Sequence, residues 1–383
     1  MKNKLYTALG LMSGTSMDGV DISLIKSDGF DQFEKIFDEY HEYSDDLHKQ
    51  LVNLRNVIIN SKDLEKYSNE LNNLEREITI FHSKIVNNTS LKYKEEIDLV
   101  GFHGQTIFHN SKKKISKQLG DGNLLSQLVK RKIVFDFRQS DLKNGGQGAP
   151  LTPIFHKLLA KNINKEYQTA FPISIINIGG ISNITKIISN NNIVEDSLKA
   201  FDIGPGNCLI DDWVRKNSNK RFDENGSIAK SGKIDKLTLN LAIKNFEINS
   251  YENSLDVKDF DISFARGLSL EDGCATITSF TAYLIAKGIE YSQDQNNDTS
   301  IVYLICGGGR KNNFLIECIK NYLADKINII LEPIENYGFD GDFVESQAFG
   351  YLAIRSFLKL PISFPNTTKC NYPITGGKIV KNF

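Results

Sequence analysis

Apolar and polar positions along the chain sort into short apolar runs ending in glycine-rich turns, and longer stretches with helical spacing. Residues 9–25, LGLMSGTSMDGVDISLI, begin with apolar Leu9 and Leu11 and end with Val20, Ile22, Leu24 and Ile25. Between them lies a small, hydroxylated turn, Ser13-Gly14-Thr15-Ser16, followed by Asp18 and Gly19. That order predicts strand, tight turn, strand. Leu47, Leu51, Leu54 and Ile58 then share one helical stripe. Leu64, Tyr67, Leu71, Leu74, Ile78, Phe81 and Ile85 follow a heptad rhythm. A coiled coil fits that rhythm, but a long helix packed on a sheet is the expectation.

Further along, 97–102 reads as a short buried strand ending in His103-Gly104-Gln105-Thr106. A helix is expected over 123–131, with Asp121 or Asn123 as its cap, and a strand over 133–137 that runs into Arg138. A glycine-rich loop, Gly145-Gly146-Gln147-Gly148-Ala149-Pro150, precedes a helix over 151–159. The opening pattern then recurs: an apolar run over 173–178, a turn at Gly179-Gly180-Ile181-Ser182 and an apolar run over 183–188. A strand–glycine turn–strand unit therefore begins each of two parts of the chain, as a duplicated domain would.

A strand end at 199–202 leads into Gly204-Pro205-Gly206-Asn207, with Asn207 placed to cap the helix carrying Leu209, Ile210 and Trp213. Residues 216–268 are polar and give no clear pattern. Ser269-Leu270-Glu271-Asp272 resembles a capping box opening a helix to about residue 287. A strand over 301–306 ends in Gly307-Gly308-Gly309, with a helix from 313, another strand over 327–331 and a helix over 344–358.

Composition narrows the class. A chain of 383 residues with 40% hydrophobic content suits two packed domains. Lys plus Arg (46) nearly balances Asp plus Glu (47), which leaves no electrostatic footprint for nucleic acid or an acidic membrane. No apolar run approaches the ~20 residues of a membrane span, and the N-terminal stretch lacks the features of a signal peptide. Five scattered cysteines without Cys-x-x-Cys spacing suit a reducing compartment and no zinc site. A cytoplasmic protein is expected.

The turn at 13–18 can face a phosphate chain: Gly14 admits close backbone approach, and consecutive N–H groups and hydroxyls can donate. Asp18 and Asp21 would act there through Mg²⁺ and its waters. The same residues also suit an ordinary Gly/Ser hairpin. The loop is not a Walker A loop, because Gly232-Lys233 and Gly377-Lys378 are each followed by Ile. His103 sits where open α/β sheets place their sites, yet suits a structural role as well. Asp202, between a strand and a helix N-terminus, suits a carboxylate general base or a turn-stabilising Asp. The triple glycine suits a nucleotide lying on the backbone or a tight βα turn, and Glu345 suits chemistry or the helix dipole alone.

Taken together, LMSGTSMDGVD, GFHGQTIFH, DFRQSDLKNGGQGAPLTP, NIGGISNIT, FDIGPGN, CGGGRKN and DFVESQAFGYLA occur in the order found in the anhydro-N-acetylmuramic acid kinases. The chain resembles that family from about Leu9 to Gly377. The resemblance implies an α/β fold of two actin-like (ribonuclease H-like) ATPase domains flanking a cleft, one from 1–137 plus 348–383 and the other from 138–347. It implies a kinase that uses ATP and Mg²⁺ to open 1,6-anhydro-N-acetylmuramic acid and phosphorylate O6 in cell-wall recycling.

In that resemblance Gly14, Thr15, Ser16, Met17, Asp18, Gly19, Val20 and Asp21 match the phosphate loop, with Mg²⁺ near Asp18. Gly307, Gly308 and Gly309 lie by the nucleotide. Asp202 matches the catalytic aspartate and Glu345 is the second catalytic candidate. His103, Gln105, Arg138 and Gln147 are substrate-side candidates, with Arg138 suited to a lactyl carboxylate. The small-molecule sugar is the expected partner, with a homodimer suggested by the family. The alternatives are a kinase of another sugar, or an actin- or Hsp70-like ATPase without sugar chemistry.

Two stretches depart from the family pattern. Residues 253–258 lack the basic residues expected before Ser254 and near Val257, and Thr367-Thr368-Lys369-Cys370 replaces a more typical Thr-Gly.

Overall fold

A computed structural model describes residues 4–93, 96–190, 194–246, 251, 254–293, 300–326 and 328–383. Contacts divide the chain into two compact units. The first takes residues up to Asn162 and from Phe343 onward, with the 193–195 stretch; the second takes Ile163–Asn192 and Asp196–Asp342. These divisions lie after Asn162 and before Phe343, where 137/138 and 347/348 were expected.

In the first unit, β1 (Tyr6–Ser13), β2 (Gly19–Ser27) and β3 (Phe33–Glu42) form an antiparallel meander. β4 (Leu99–Asn110) runs parallel to β1, and β5 (Ile115–Leu119) pairs antiparallel with the far end of β4. β6 (Lys132–Phe135) runs parallel to β4. In the second unit, β7 (Ile173–Ile178), β8 (Ile181–Ile187) and β9 (Leu198–Pro205) repeat the antiparallel meander, and β10 (Ile301–Cys306) and β11 (Ile329–Pro333) follow in parallel. The short β12 (Lys378–Val380) joins the first sheet beside β6.

The two sheet paths are β3-β2-β1-β4-β6 and β9-β8-β7-β10-β11. Order and strand directions are the same, so the chain holds two copies of one α/β unit, each opened by a hairpin. Each unit thus has the strand order and directions of an actin-like domain.

Strand alternation in β1 explains how the first unit is layered. Leu9 and Leu11 join a core with Leu47, Leu51 and Leu54 of α1 (Asp45–Val57), Leu71, Leu74, Ile78 and Ile85 of α2 (Ser68–Lys92), and Leu125 and Val129 of α3 (Gly122–Val129). The heptad stripe thus packs on a sheet. Gly10 points the other way, against the helix Val344–Phe357, which we label α6. A Cβ at Gly10 would overlap the Ser346 carbonyl oxygen, and one at Gly101, its partner on β4, would overlap that of Phe349. Paired glycines let a helix backbone lie directly on two strands.

In the second unit Trp213 of α4 (Cys208–Asn217) and Ile277, Phe280 and Ile285 of α5 (Leu270–Ser292) build the core with Ile176, Ile203 and Tyr303. Ser269 caps α5 by accepting from Asp272 N, and Asp121 caps α3. The expected strand over 327–331 begins at a residue outside those described; from Ile329 it is β11.

Candidate active site

The first hairpin's turn is held from outside. Gln105 is fully buried, and its Nε2 donates to the Gly14 carbonyl at 2.8 Å. Arg55 Nη1 of α1 donates to the Thr15 carbonyl at 2.6 Å. His48 Nδ1 lies 2.8 Å from the Met17 carbonyl, so that nitrogen carries the proton. Met17 itself is fully buried at φ +62°. Thr15 and Ser16 are exposed, and Ser16 Oγ donates to Asp18 Oδ1 at 2.7 Å. A Cβ at Gly14 would meet nothing closer than Ser16 Oγ at 3.6 Å, so the outer side of the loop is open. Gly19 and Val20 are buried in the hairpin stem, and Asp21 is half-buried on β2.

Beneath the turn, Ser13 Oγ lies 2.9 Å from Tyr43 Oη and 3.4 Å from His82 Nε2. His82 Nδ1 donates to the Ile78 carbonyl at 2.8 Å, so Nε2 accepts, and the Ser13 hydroxyl donates to it. Burial pushes the Tyr43 phenol up, and the charges of Asp18 and Asp21 add to that. Burial lowers His82 to about 4.

The expected strand end at His103 is not an end. β4 runs on to Asn110 by exchanging partners: its pairing with β6 stops at Phe102, and pairing with β5 begins at Gln105. Gly104, at φ +74° and pressed on the Leu119 carbonyl, makes the bend between them. His103 is buried, and its Nε2 accepts from Arg138 Nη2 at 2.9 Å. Burial and then the Arg138 charge hold its pKa well below the ordinary value. Arg138 Nη1 also donates to the Gly148 carbonyl at 2.7 Å.

Asp141, which sequence reasoning passed over, organises the rest of that loop. Its Oδ2 accepts from Gly148 N at 2.7 Å and its Oδ1 from Thr368 Oγ1 at 2.6 Å. A Cβ at Gly146 would overlap the same carboxylate. Gln147, half-buried, is fixed through its backbone N to the Thr368 carbonyl at 2.7 Å. His103, Arg138 and Gln147 thus belong to one connected set, while Gln105 faces the hairpin turn.

Glu345 is half-buried in the first turn of α6. Its neighbours pin that turn: Ser346 Oγ lies 2.6 Å from Ser23 Oγ, and Gln347 Nε2 donates to both Asp38 oxygens at 3.1 Å.

In the second unit Asp202 lies within β9, which continues through Pro205, rather than at a strand end. Register sets it in a row across the sheet, Cys306–Asn177–Asn183–Asp202, directly opposed strand by strand. Directly opposed residues share a face. Asp202 is buried, and its Oδ2 accepts from Leu255 N at 2.8 Å. The segment that departs from the family pattern therefore touches this carboxylate; Asn253 lies outside the described residues, and Lys258 is exposed.

Gly307, at φ +80°, leaves no room for a Cβ against the Asn177 side chain. Gly309 is pressed on Ile178, whereas Gly308 is exposed, with Asn207 Nδ2 nearest to a built Cβ at 3.8 Å. Asn207 does not cap α4 with its side chain; its backbone N donates to the Gly179 carbonyl at 2.8 Å, and its amide faces Gly308.

The glycine turn is clasped by Arg310. Its guanidinium binds Glu335 and Asp342, each at 2.5 Å, Asp340 at 3.3 Å and the Gly307 carbonyl at 3.1 Å. Although burial pushes Asp342 up, hydrogen bonds from Arg310 and Lys311 hold its carboxyl below the ordinary range. Gly307 N donates to the Gly341 carbonyl at 2.8 Å, closing the clasp.

The family profile for anhydro-N-acetylmuramic acid kinase matches residues 6–382. The chain belongs to the anhydro-N-acetylmuramic acid kinase family. A relative of that name from Pelagibacter ubique is 52% identical over 99% of this chain and 100% of its own length. Another from Brucella canis is 36% identical over 98% and 99%. Among solved structures, hexokinase from Schistosoma mansoni complexed with glucose covers 91% of this family member and 85% of its own chain, at 10% identity and a TM-score of 0.43. The activator of 2-hydroxyisocaproyl-CoA dehydratase from Clostridium difficile, with bound ADPNP, covers 91% and 94% at 14% identity and a TM-score of 0.40.

Among the described residues of this family member, no helix is long and apolar enough to cross a membrane. Nor do three or more His, Cys, Asp or Glu side chains among them converge into a metal cage. A lone half-buried carboxylate such as Asp18 beside a loop fits Mg²⁺, which keeps most of its waters and takes substrate phosphates as ligands.

Proposed function

We propose that this chain uses ATP and Mg²⁺ to open 1,6-anhydro-N-acetylmuramic acid and phosphorylate it, giving N-acetylmuramic acid 6-phosphate during peptidoglycan recycling. The full-length family match carries the reading. The anhydro sugar has no free 6-hydroxyl. Water must attack C1 as the C1–O6 bond breaks, and O6 must take the γ-phosphoryl group as its bond to the β-phosphate oxygen breaks. The products are the ring-opened sugar phosphate and ADP.

Asp202 accepts the proton of the attacking water, the role a carboxylate has in inverting glycoside hydrolysis. Its buried position and its hydrogen bond from Leu255 N fix the carboxylate's orientation. Of the 14–21 hairpin, the exposed Thr15–Ser16 turn meets the phosphates through backbone N–H groups and hydroxyls while 19–21 form its stem, and Gly308 offers open backbone to the nucleoside. Asp18 holds Mg²⁺ through water; when bound, the ion neutralises phosphate charge during transfer. His103, Arg138, Gln147 and Glu345 face the sugar, with the Arg138 guanidinium suited to the lactyl carboxylate. The reading includes a cytoplasmic homodimer, to be checked by sedimentation.

Mass spectrometry of the sugar after incubation with Mg-ATP tests the reaction. The expected product is heavier by one phosphoryl group and one water. Unchanged sugar, with a folded enzyme that binds ATP, would leave a kinase of another sugar. ATP turnover at the same rate without sugar would point to a conformational ATPase.

A further inference from the structure

We propose that Arg55 and Gln105 are positioning residues for phosphate binding, acting through the backbone of the 14–17 turn. The inference rests on the reading that this turn holds the ATP phosphates. Gln105 is thereby moved from the sugar side to the nucleotide side.

A trans peptide points its C=O and the following N–H in opposite directions. The Gly14 carbonyl is held on Gln105 Nε2 at 2.8 Å, so the Thr15 N–H points away from β4. The Thr15 carbonyl is held on Arg55 Nη1 at 2.6 Å, so the Ser16 N–H points away from α1. Both N–H groups are thus turned away from the elements that hold the loop, on residues that are exposed, an arrangement that suits an anion. Either peptide flipped would instead present a carbonyl oxygen to the phosphate. Within the loop the Gly14 carbonyl accepts only a long bond from Met17 N at 3.3 Å, and the Thr15–Ser16 side is exposed, so the turn's own hold on these peptides is weak.

The holders come from elsewhere in the unit. Gln105 follows the Gly104 bend in β4, and Arg55 lies near the end of α1. His48 adds a third hold, on the Met17 carbonyl, where φ is +62°. Orientation of the loop is thus set by the fold around it, before any ligand arrives, which is the preorganisation that charge stabilisation requires.

The test compares binding of Mg-ATP and of adenosine by calorimetry in Arg55→Met, Arg55→Lys, Gln105→Leu and Gly14→Asp. Arg55→Met is expected to weaken Mg-ATP about tenfold, the loss of one oriented contact, and to leave adenosine within about twofold. Arg55→Lys should recover most of the loss, since one N–H suffices for a carbonyl. Gln105→Leu should act in the same direction without changing charge, which separates orientation from simple attraction. Gly14→Asp places a carboxylate in open space and should repel the phosphates.

If Gly14→Asp abolishes Mg-ATP binding while Arg55→Met and Gln105→Leu stay within about twofold, the positioning proposal alone is overturned. If Gly14→Asp has no effect, the phosphate-loop reading fails and takes the proposal with it. Equal weakening of ATP and adenosine would mean general damage and also overturn it. If Gln105→Leu lowers the unfolding midpoint, the Arg55 pair decides.

Discussion

Arg138 Nη2 stands 2.9 Å from His103 Nε2, and this contact fixes where the imidazole carries its proton. A guanidinium can only donate, so Nε2 accepts and the hydrogen lies on Nδ1. Burial, then the Arg138 charge, pushes the pKa of His103 well below its ordinary value. The expected result is one neutral Nδ1–H tautomer from pH 8 to pH 5, read by ¹⁵N-edited NMR with His103→Gln for assignment. Arg138→Met should raise the pKa by removing the second cause. Titration of the wild-type ring near 6.5, or an Nε2–H tautomer, would contradict the assignment.

The same physics makes the first unit acid-sensitive. Burial lowers His82 to about 4 and His109 and His156 to about 3, while His103 lies well below 6.5; all four are in the first unit. An unfolded histidine titrates near 6.5, so below that pH the unfolded state binds more protons. Stability is therefore complete above about 6.5 and is lost as pH falls toward the folded values. Each buried ring contributes about 1 kcal/mol between pH 6 and 5, roughly 4 to 5 kcal/mol for the set. Trp213, the sole tryptophan, is in the second unit and reports there. At pH 5 the far-UV signal should be lost at lower urea than Trp213 fluorescence. Coincident transitions with midpoints unchanged from pH 7.5 would refute this.

Packing of α6 on the sheet gives a second stability test. Because a Cβ at Gly10 would meet the backbone of Ser346, no flexible side chain can yield. Gly10→Ala should cost about 3 kcal/mol or fail to fold, toward the upper end of overpacking penalties. Gly14→Ala, in open space, should leave the urea midpoint within about 0.5 kcal/mol of wild type. A small effect at Gly10 would mean that α6 shifts readily.

Legibility followed the reach of each signal. The α2 stripe and both hairpins could be read because period and turn chemistry are local, and Leu71, Leu74, Ile78 and Ile85 are buried as the stripe requires. His103 and Asp202 were set at strand ends because polar and glycine residues interrupt the apolar run, yet β4 continues past the Gly104 bend on the next strand, β5, and β9 continues along β8 through a register shift. The motif positions carried the site. The groups that hold those positions did not show: Arg55 and His48 lie on a helix read only by its apolar stripe, and Asp141 acts on glycines several residues away. Asn207 looked like a cap because a helix follows it, but the Gly179–Gly180 turn already takes its backbone.

One departure from the family pattern has a local explanation and a test. Lys369 sits at φ +64°, a conformation natural to glycine, where the resemblance leads one to expect Gly. Left-handed backbone costs a non-glycine residue about 1 kcal/mol. Lys369→Gly should therefore raise stability by up to about 1 kcal/mol, offset in part by glycine's greater freedom when unfolded. The neighbouring Thr368–Asp141 bond should survive, so the urea midpoint is the measure. An unchanged or lowered midpoint would mean that the Lys369 side chain makes up the cost.

Asp202→Asn separates chemistry from architecture. The carboxylate is buried in β9 and accepts from Leu255 N through one oxygen, a contact that an asparagine carbonyl can reproduce. The substitution therefore keeps shape and hydrogen bond but removes the basic oxygen. Loss of a general base costs about 10²- to 10⁴-fold in rate. Sugar-dependent ADP release should fall by at least about 10²-fold, with Mg-ATP affinity and the unfolding midpoint unchanged. If ATP affinity falls in parallel, Asp202 belongs to nucleotide binding instead. If turnover stays near normal, another group activates the water, and Glu345 becomes the carboxylate to replace next.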